Sequence, residues 1–106
     1  MLELDESPQD GVAREVLEET GLQVQAETLT GVYKNIKLGV VNLVFRCTLL
    51  GGQPHPTDEA RQVAWLSMDE AKRDMPEARL VRVTDALITN GNGGPPVRIH
   101  DGIDLI

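Results

Sequence analysis

The stretch Arg14-Glu15-Val16-Leu17-Glu18-Glu19-Thr20-Gly21-Leu22 constrains the fold more than any other part of the chain, because as a helix it gathers three carboxylates on one side. At about 100° of rotation per residue, Glu15, Glu18 and Glu19 fall within roughly a third of the helix circumference. Like charges at i, i+3 and i, i+4 repel by about 0.2–0.5 kcal/mol per pair, so such a helix is weakened unless a cation sits among them. A divalent metal ion is the candidate. The limits of the helix are marked as well. Ser7 reads as an N-cap and Pro8 as the first helical residue. Asp10, three residues after Ser7, can complete a capping box and favours the positive end of the helix dipole. Gly21 stands where a left-handed C-terminal cap is wanted. On the other face Val12 with Val16, and Ala13 with Leu17, form i, i+4 apolar pairs suited to packing on a core.

The charge is concentrated around this helix. The chain of 106 residues carries a net charge of −7, and residues 1–22 hold seven acids against the single base Arg14. The remainder is close to neutral. An acidic chain without a basic stripe is a poor partner for a nucleic acid polymer or a membrane surface, since phosphate contacts need clustered Lys and Arg. An acidic site that must meet an anionic phosphate calls for metal ions to mediate the attraction. The length predicts one domain over residues 1–106, able to bury roughly 60–70% of the surface its unfolded form exposes. With 41% hydrophobic residues but one Trp, one Tyr and one Phe, the expected core is aliphatic. No apolar run reaches transmembrane length, and no signal-peptide pattern is present. The lone Cys47 cannot form an internal disulfide, so a cytoplasmic location is expected, with Cys47 a small buried hydrophobe rather than a nucleophile.

Beyond the first helix, Gln23–Glu27 and Leu29–Tyr33 read as strands. Residues 39–50 contain Val40-Val41-Asn42-Leu43-Val44-Phe45, a nearly continuous apolar run that predicts a strand covered on both faces. A loop through Gly51-Gly52 and Pro54-His55-Pro56 precedes another strand at Gln62–Leu66. Ser67-Met68-Asp69-Glu70 has the form of a capping box opening a short helix, with a break near Pro76 and a longer helix over Glu77–Ile88. After the Gly- and Pro-rich stretch 90–96, Val97–His100 and Ile103–Ile106 are expected to form a hairpin about Asp101-Gly102. Strands and helices in this order predict an α/β layered domain. Phe45 and Trp65 are assigned to the core, Tyr33 to either core or ligand contact, and His55 and His100 to the surface.

Glu6, seven intervening residues, and then Arg14-Glu15-Val16-x-Glu18-Glu19-x-Gly21-Leu22 resembles the signature of the Nudix hydrolases. The segment from Trp65 to Glu70 extends the resemblance, since family members often carry a Trp-containing strand followed by a helix with an acidic start. The resemblance implies a mixed β-sheet sandwiched between α-helices. It also implies an N-terminally truncated chain, because the glycine that opens the family motif would fall ahead of Met1 together with the first strands. An open sheet edge would follow, and with it self-association as a homodimer.

The resemblance further implies a pyrophosphohydrolase that depends on Mg2+ or Mn2+. Its substrate would be a small-molecule nucleotide, a nucleoside triphosphate or an ADP-ribose-like nucleotide, cleaved at the diphosphate linkage. Glu18 and Glu19 would be the principal metal ligands, with Glu15 a further ligand or the base that activates water. Arg14 would orient Glu6 or another carboxylate through a bidentate pair; an exposed pair with Glu18 is the other reading. Glu59, with Asp58 behind it, is the candidate for an additional acidic ligand from a distant loop. Magnesium takes oxygen ligands in octahedral order and keeps several waters, so carboxylates from one rigid helix plus substrate phosphates suit it. The alternative is a catalytically silent Nudix-like domain that binds a nucleotide or a partner protein.

Overall fold

Capping chemistry bounds the first helix where the residue types require it. In the computed structural model, which describes residues 3–58, 60, 63–88 and 94–106, α1 spans Pro8–Thr20. The Ser7 hydroxyl accepts the Asp10 N–H at 3.1 Å, Pro8 occupies the first turn, and Gly21 closes the helix at φ 80° with its N–H donated to Leu17 O at 3.0 Å. A residue with a Cβ resists that left-handed backbone, which is why glycine ends this helix. The apolar stripe is covered unevenly. Val12, Ala13 and Val16 are half-buried, whereas Leu17 is 47% exposed. Periodicity selects the inward face; it does not set how much there is to cover it.

The two strands expected after α1 are one: β1 runs without a break over Leu22–Asn35. Thr28, β-branched, continues an extended backbone as readily as its neighbours. From Gln23 to Thr28 the burial alternates with period two, as the polar and small residues alternate. β2 spans Val40–Gly52 and neighbours β1, and their four-residue link requires an antiparallel pair, since parallel strands need a long crossover.

The sheet order is β2-β1-β3, so β2 lies at its edge. The expectation that this apolar strand is covered on both faces is overturned: none of its residues is buried, and Val41 and Leu50 are 57% and 63% exposed. An apolar run records an affinity for burial, and does not state whether a neighbour supplies it.

Ser67 and Glu70 form the reciprocal capping box, Glu70 N–H to Ser67 Oγ at 3.2 Å and Ser67 N–H to Glu70 Oε1 at 3.1 Å, opening α2 at Met68–Asp74. The chain breaks at Pro76 and α3 follows over Glu77–Ile88. These helices supply the crossover that lets β3, Val97–His100, lie parallel to β1, with Tyr33 opposite Arg98 and Asn35 opposite His100. Further expectations are corrected. Residues 63–66 are not a strand, Gln62 lying outside the described residues, and Trp65 is 66% exposed rather than in the core. Phe45 and Cys47 are half-buried. The C-terminal reversal is a wider turn than a two-residue hairpin: Asp101 Oδ1 accepts the N–H groups of Ile103 and Asp104, and Leu105 bridges back to His100.

The chain divides into two compact units. One joins Met1–Thr28 with Phe45–Trp65; the other joins Leu29–Val44 with Leu66–Ile106, and β1 and β2 each contribute residues to both. The second unit is organised around a buried charge. Asp85 of α3, 1% exposed, accepts the Tyr33 hydroxyl at 2.8 Å and the Arg98 guanidinium through Nε at 2.6 Å and Nη2 at 2.7 Å. Tyr33 is fully buried, which places it in the core of this unit, and its ring lies back over Gly31, where a Cβ would collide with it. The Arg98 bonds hold the Asp85 carboxyl below its ordinary range against the opposing effect of burial. Burial and the Asp85 bond push the Tyr33 phenol upward.

Asp85→Ala would strand the Tyr33 hydroxyl and Arg98 together, and is expected to cost about 3–5 kcal/mol of stability in chemical denaturation. Because the folded Asp85 titrates below its unfolded value, its contribution is complete above that value, near 3.8, and is lost as pH falls through the folded one. Acid unfolding monitored below about pH 4 is therefore expected to be steeper in the wild type than in Asp85→Asn.

Candidate functional site

The acidic face of α1 is organised by Arg14 rather than left as bare carboxylates. Arg14 stands eight positions after Glu6, and the turn before the helix brings them together. Glu3 and Glu6 bond to one another's backbone, Glu3 N–H to Glu6 Oε1 at 3.1 Å and Glu6 N–H to Glu3 O at 3.2 Å, which fixes the Glu6 side chain beside the first turns. Arg14 then grips it with both arms, Nε to Oε2 at 2.9 Å and Nη2 to Oε1 at 3.1 Å. The Arg14 bonds come first, and the Glu3 N–H second, in holding the Glu6 carboxyl below its usual value. The same contact raises the Arg14 guanidinium further.

Arg14 also donates Nη1 to Glu18 Oε2 at 3.1 Å and lies 3.8 Å from a Glu15 oxygen. Both readings of Arg14 hold at once: it clamps Glu6 and it pairs with Glu18 one turn away. Arg14 thus supplies a cation at the margin of the carboxylate arc. Among the described residues no three of His, Cys, Asp and Glu gather closely enough to hold a metal ion. Like charges spread apart where they can, and Arg14 draws Glu18 and Glu6 to its own side. The donor chemistry still fits a hard divalent cation: Glu15, Glu18 and Glu19 offer carboxylate oxygens from neighbouring turns of one helix, and Glu15 and Glu18 have side chains 38% and 43% exposed. Magnesium needs one or two such carboxylates when phosphates and waters complete its shell.

The distant end of α1 is held by a loop that sequence reasoning did not connect to it. His55 N–H donates to Thr20 O at 3.0 Å, and the Thr57 hydroxyl donates to Glu19 O at 3.1 Å, so two of the carbonyls that a helix leaves unpaired at its C-terminus are satisfied. The His55 ring lies against Gly21 in the space a Cβ would need, and its Nδ1 is 2.9 Å from Pro56 O. His55 is exposed, as expected of a surface residue. These contacts carry Asp58 towards the Glu19 end of the helix; Glu59 lies outside the described residues. The one local signal was Gly21, whose missing side chain serves the left-handed cap and the approach of His55 together.

Gly21→Ala meets both demands badly, and is expected to lower stability by more than about 1 kcal/mol. Hydrogen exchange of the His55 amide is expected to accelerate in the same variant, since the loop loses its seat on the helix end. An unaltered His55 exchange rate would mean that the loop is held by other contacts.

Known proteins offer four points of comparison. The model of the NUDIX domain family matches residues 1–87. A MutT-like protein of Streptomyces ambofaciens is 51% identical over 106 residues, spanning all of this chain and 67% of that protein. An ADP-ribose pyrophosphatase from Streptococcus suis 89-1591 superposes with a TM-score of 0.67 at 26% identity, covering 92% of this chain and 75% of the other. A NUDIX hydrolase from Nitrosomonas europaea shares the fold, with a TM-score of 0.70 at 23% identity over 93% of this chain and 60% of that one. The helix that carries Arg14, Glu15, Glu18 and Glu19 lies inside the matched span, and the mixed α/β architecture is that of the two solved structures. The chain belongs to the NUDIX domain family, hydrolases that act on phosphoanhydride bonds.

Proposed function

We propose that this protein is a metal-dependent pyrophosphohydrolase that cleaves the diphosphate linkage of a small nucleotide, with the acidic face of α1 as its catalytic surface. The observation that carries the reading is the Arg14 fork, which clamps Glu6 through two hydrogen bonds and tethers Glu18 through a third. A bidentate clamp of this kind orients carboxylates that would otherwise scatter, and a solvated helix face has no use for it. ADP-ribose-like nucleotides are the first substrates to examine, because the Streptococcus suis relative is an ADP-ribose pyrophosphatase. Nucleoside triphosphates are the second.

In this reading Glu18 and Glu19 hold the cation, and Glu15 either completes its shell or takes the proton from the attacking water. When bound, Mg2+ or Mn2+ supplies charge neutralisation at the phosphoryl oxygens and lowers the pKa of water. Arg14 fixes the direction of Glu18, and Glu6 in turn fixes Arg14. The loop seated on Glu19 O and Thr20 O keeps the end of the helix from fraying, which holds Glu19 in register with Glu15. Glu59, next in sequence to Asp58, would be a further ligand. The edge position of β2, with Val41 and Leu50 exposed, supports self-association as a homodimer. No helix among the described residues is long and apolar enough to cross a membrane.

Two measurements test the reading. Mn2+ is expected to raise the melting temperature of the wild type by mass action and to leave Glu18→Gln/Glu19→Gln unchanged. In assays that resolve the phosphomonoester products of ADP-ribose and the nucleotide products of nucleoside triphosphates, Glu19→Gln is expected to lower turnover on the order of a hundredfold, the loss of a few kcal/mol of transition-state stabilisation. Glu70→Gln, which removes an α2 charge but keeps a capping acceptor, is expected to leave turnover near the wild-type value. Equal activity of Glu19→Gln and the wild type would sink the catalytic role of the helix face and leave a nucleotide-binding domain.

A further inference from the structure

The second unit contains a cavity of about 320 Å³, lined in part by Arg82 and Arg79 of α3, by His100 at the end of β3, and by Asn35 and Asn42 of the hairpin. This is the lower end of the range for small-molecule sites, about 300–1,000 Å³, and admits one small ligand rather than a polymer. No residue of α1 lines it, and no carboxylate among the described residues does.

Its polar groups are unusual in one respect: Arg82 Nε and His100 Nε2 are buried and have no hydrogen-bond partner among the described residues. His100 was expected on the surface, yet it is 3% exposed. Its Nδ1 accepts the Gly102 N–H at 3.0 Å, so the ring proton stands on Nε2 and that nitrogen is a donor. Arg82 is fixed with its guanidinium over the Tyr33 ring, 5.3 Å from the centroid, and Tyr33 is itself tied to Asp85. Asn35 spends its Oδ1 on the N–H groups of Lys37 and Leu38, which turns its NH2 group towards Gly102, another lining residue.

Leaving a buried donor unpaired costs about 1–3 kcal/mol, and more for a charged group, so folded proteins seldom leave two in one place. Water could pair with both. It would not compensate the positive charge of Arg82, which burial and the neighbouring Arg79 both disfavour. The nearby acids are engaged elsewhere, Asp85 with Arg98 and Tyr33, and Asp101 with the N–H groups of Ile103 and Asp104. A group that satisfies several donors at once and carries negative charge is an oxyanion, and tetrahedral phosphate offers acceptors in several directions where a carboxylate offers two oxygens in one plane.

We infer that this cavity is a phosphoryl-binding site, in which Arg82 Nε and His100 Nε2 donate to the phosphate oxygens of a small phosphomonoester, without a metal ion. Phosphoanhydride hydrolysis leaves phosphate-terminated products, so ligands of this class are ones that a NUDIX hydrolase meets. The inference does not rest on the catalytic role proposed for α1.

The test is a titration of the 106-residue protein with inorganic phosphate, AMP and malonate in the presence of a chelator, read by calorimetry and by the 15N resonances of Arg82 and His100. Phosphate and AMP are expected to bind and to shift both nitrogens, with malonate much weaker. His100→Asn keeps an acceptor for the Gly102 N–H and removes the Nε2 donor, and Arg82→Lys keeps the charge and removes Nε. Each is expected to weaken AMP about tenfold or more while melting near the wild type. Glu18→Gln/Glu19→Gln is expected to bind AMP as the wild type does, which separates this site from the metal reading. Three results would overturn the inference: no shift at the two nitrogens, undiminished AMP affinity in both folded variants, or malonate binding as tightly as phosphate.

Discussion

The second unit depends on the buried carboxylate of Asp85. Asp85 faces Tyr33 from β1 and Arg98 from β3, and its two oxygens take three short hydrogen bonds from them. A charge removed from water is tolerable only when its lone pairs are met by fixed donors, and here a helix and two parallel strands must hold their relative positions for that to happen. The pairing of Tyr33 with Arg98 in the β1–β3 register places both donors side by side under α3. Other features follow from it. With its hydroxyl engaged and its ring laid over Gly31, Tyr33 presents a fixed aromatic face, and Arg82 rests on that face rather than extending into solvent.

The first unit solves a different electrostatic problem. Its helix must carry like charges close together without unwinding, and it does so by strengthening both ends. Ser7 and Pro8 secure the start, and Gly21, His55 and Thr57 secure the finish. Between them, Arg14 offsets part of the repulsion and gives Glu6 and Glu18 fixed directions. The helix is thereby a rigid support for exposed carboxylates. Hydrolysis of a phosphoanhydride needs that kind of support, since charge at the phosphoryl oxygens has to be met at set positions.

The two units thus use charge in opposite ways. Around α1 the acids outnumber the bases, and a cation from solution completes the proposed site. In the cavity beside α3 the bases have no lining carboxylate among the described residues, and an anion would complete it. A net charge of −7 conceals this division, because the basic residues of the second unit are distributed along a sequence that sums almost to neutrality.

Much of α1 was legible in the sequence, because the signals are local. An N-cap, a first-turn proline, a terminal glycine and a spacing of three and four residues act within a few positions of where they stand, and physical chemistry reads them directly. The capping box of Ser67 and Glu70 is of the same kind. The family signature added the role of Arg14 towards Glu6. Elsewhere local patterns gave incomplete answers. The apolarity of Val40–Phe45 predicted burial, and the sheet order placed that strand at an edge instead. His100 carried no sign that Gly102 and the β1–β3 register would enclose it. Tyr33 and Asp85 lie 52 residues apart, and no periodicity links them; they meet because two helices carry the chain across to a parallel partner. By itself the sequence determined where α1 begins and ends, which residues share its acidic face and which family the chain resembles. Tertiary structure alone decided which charges are buried, which residues line the cavity beside α3 and which loop caps the helix, because each depends on residues brought together by chain crossover rather than by spacing.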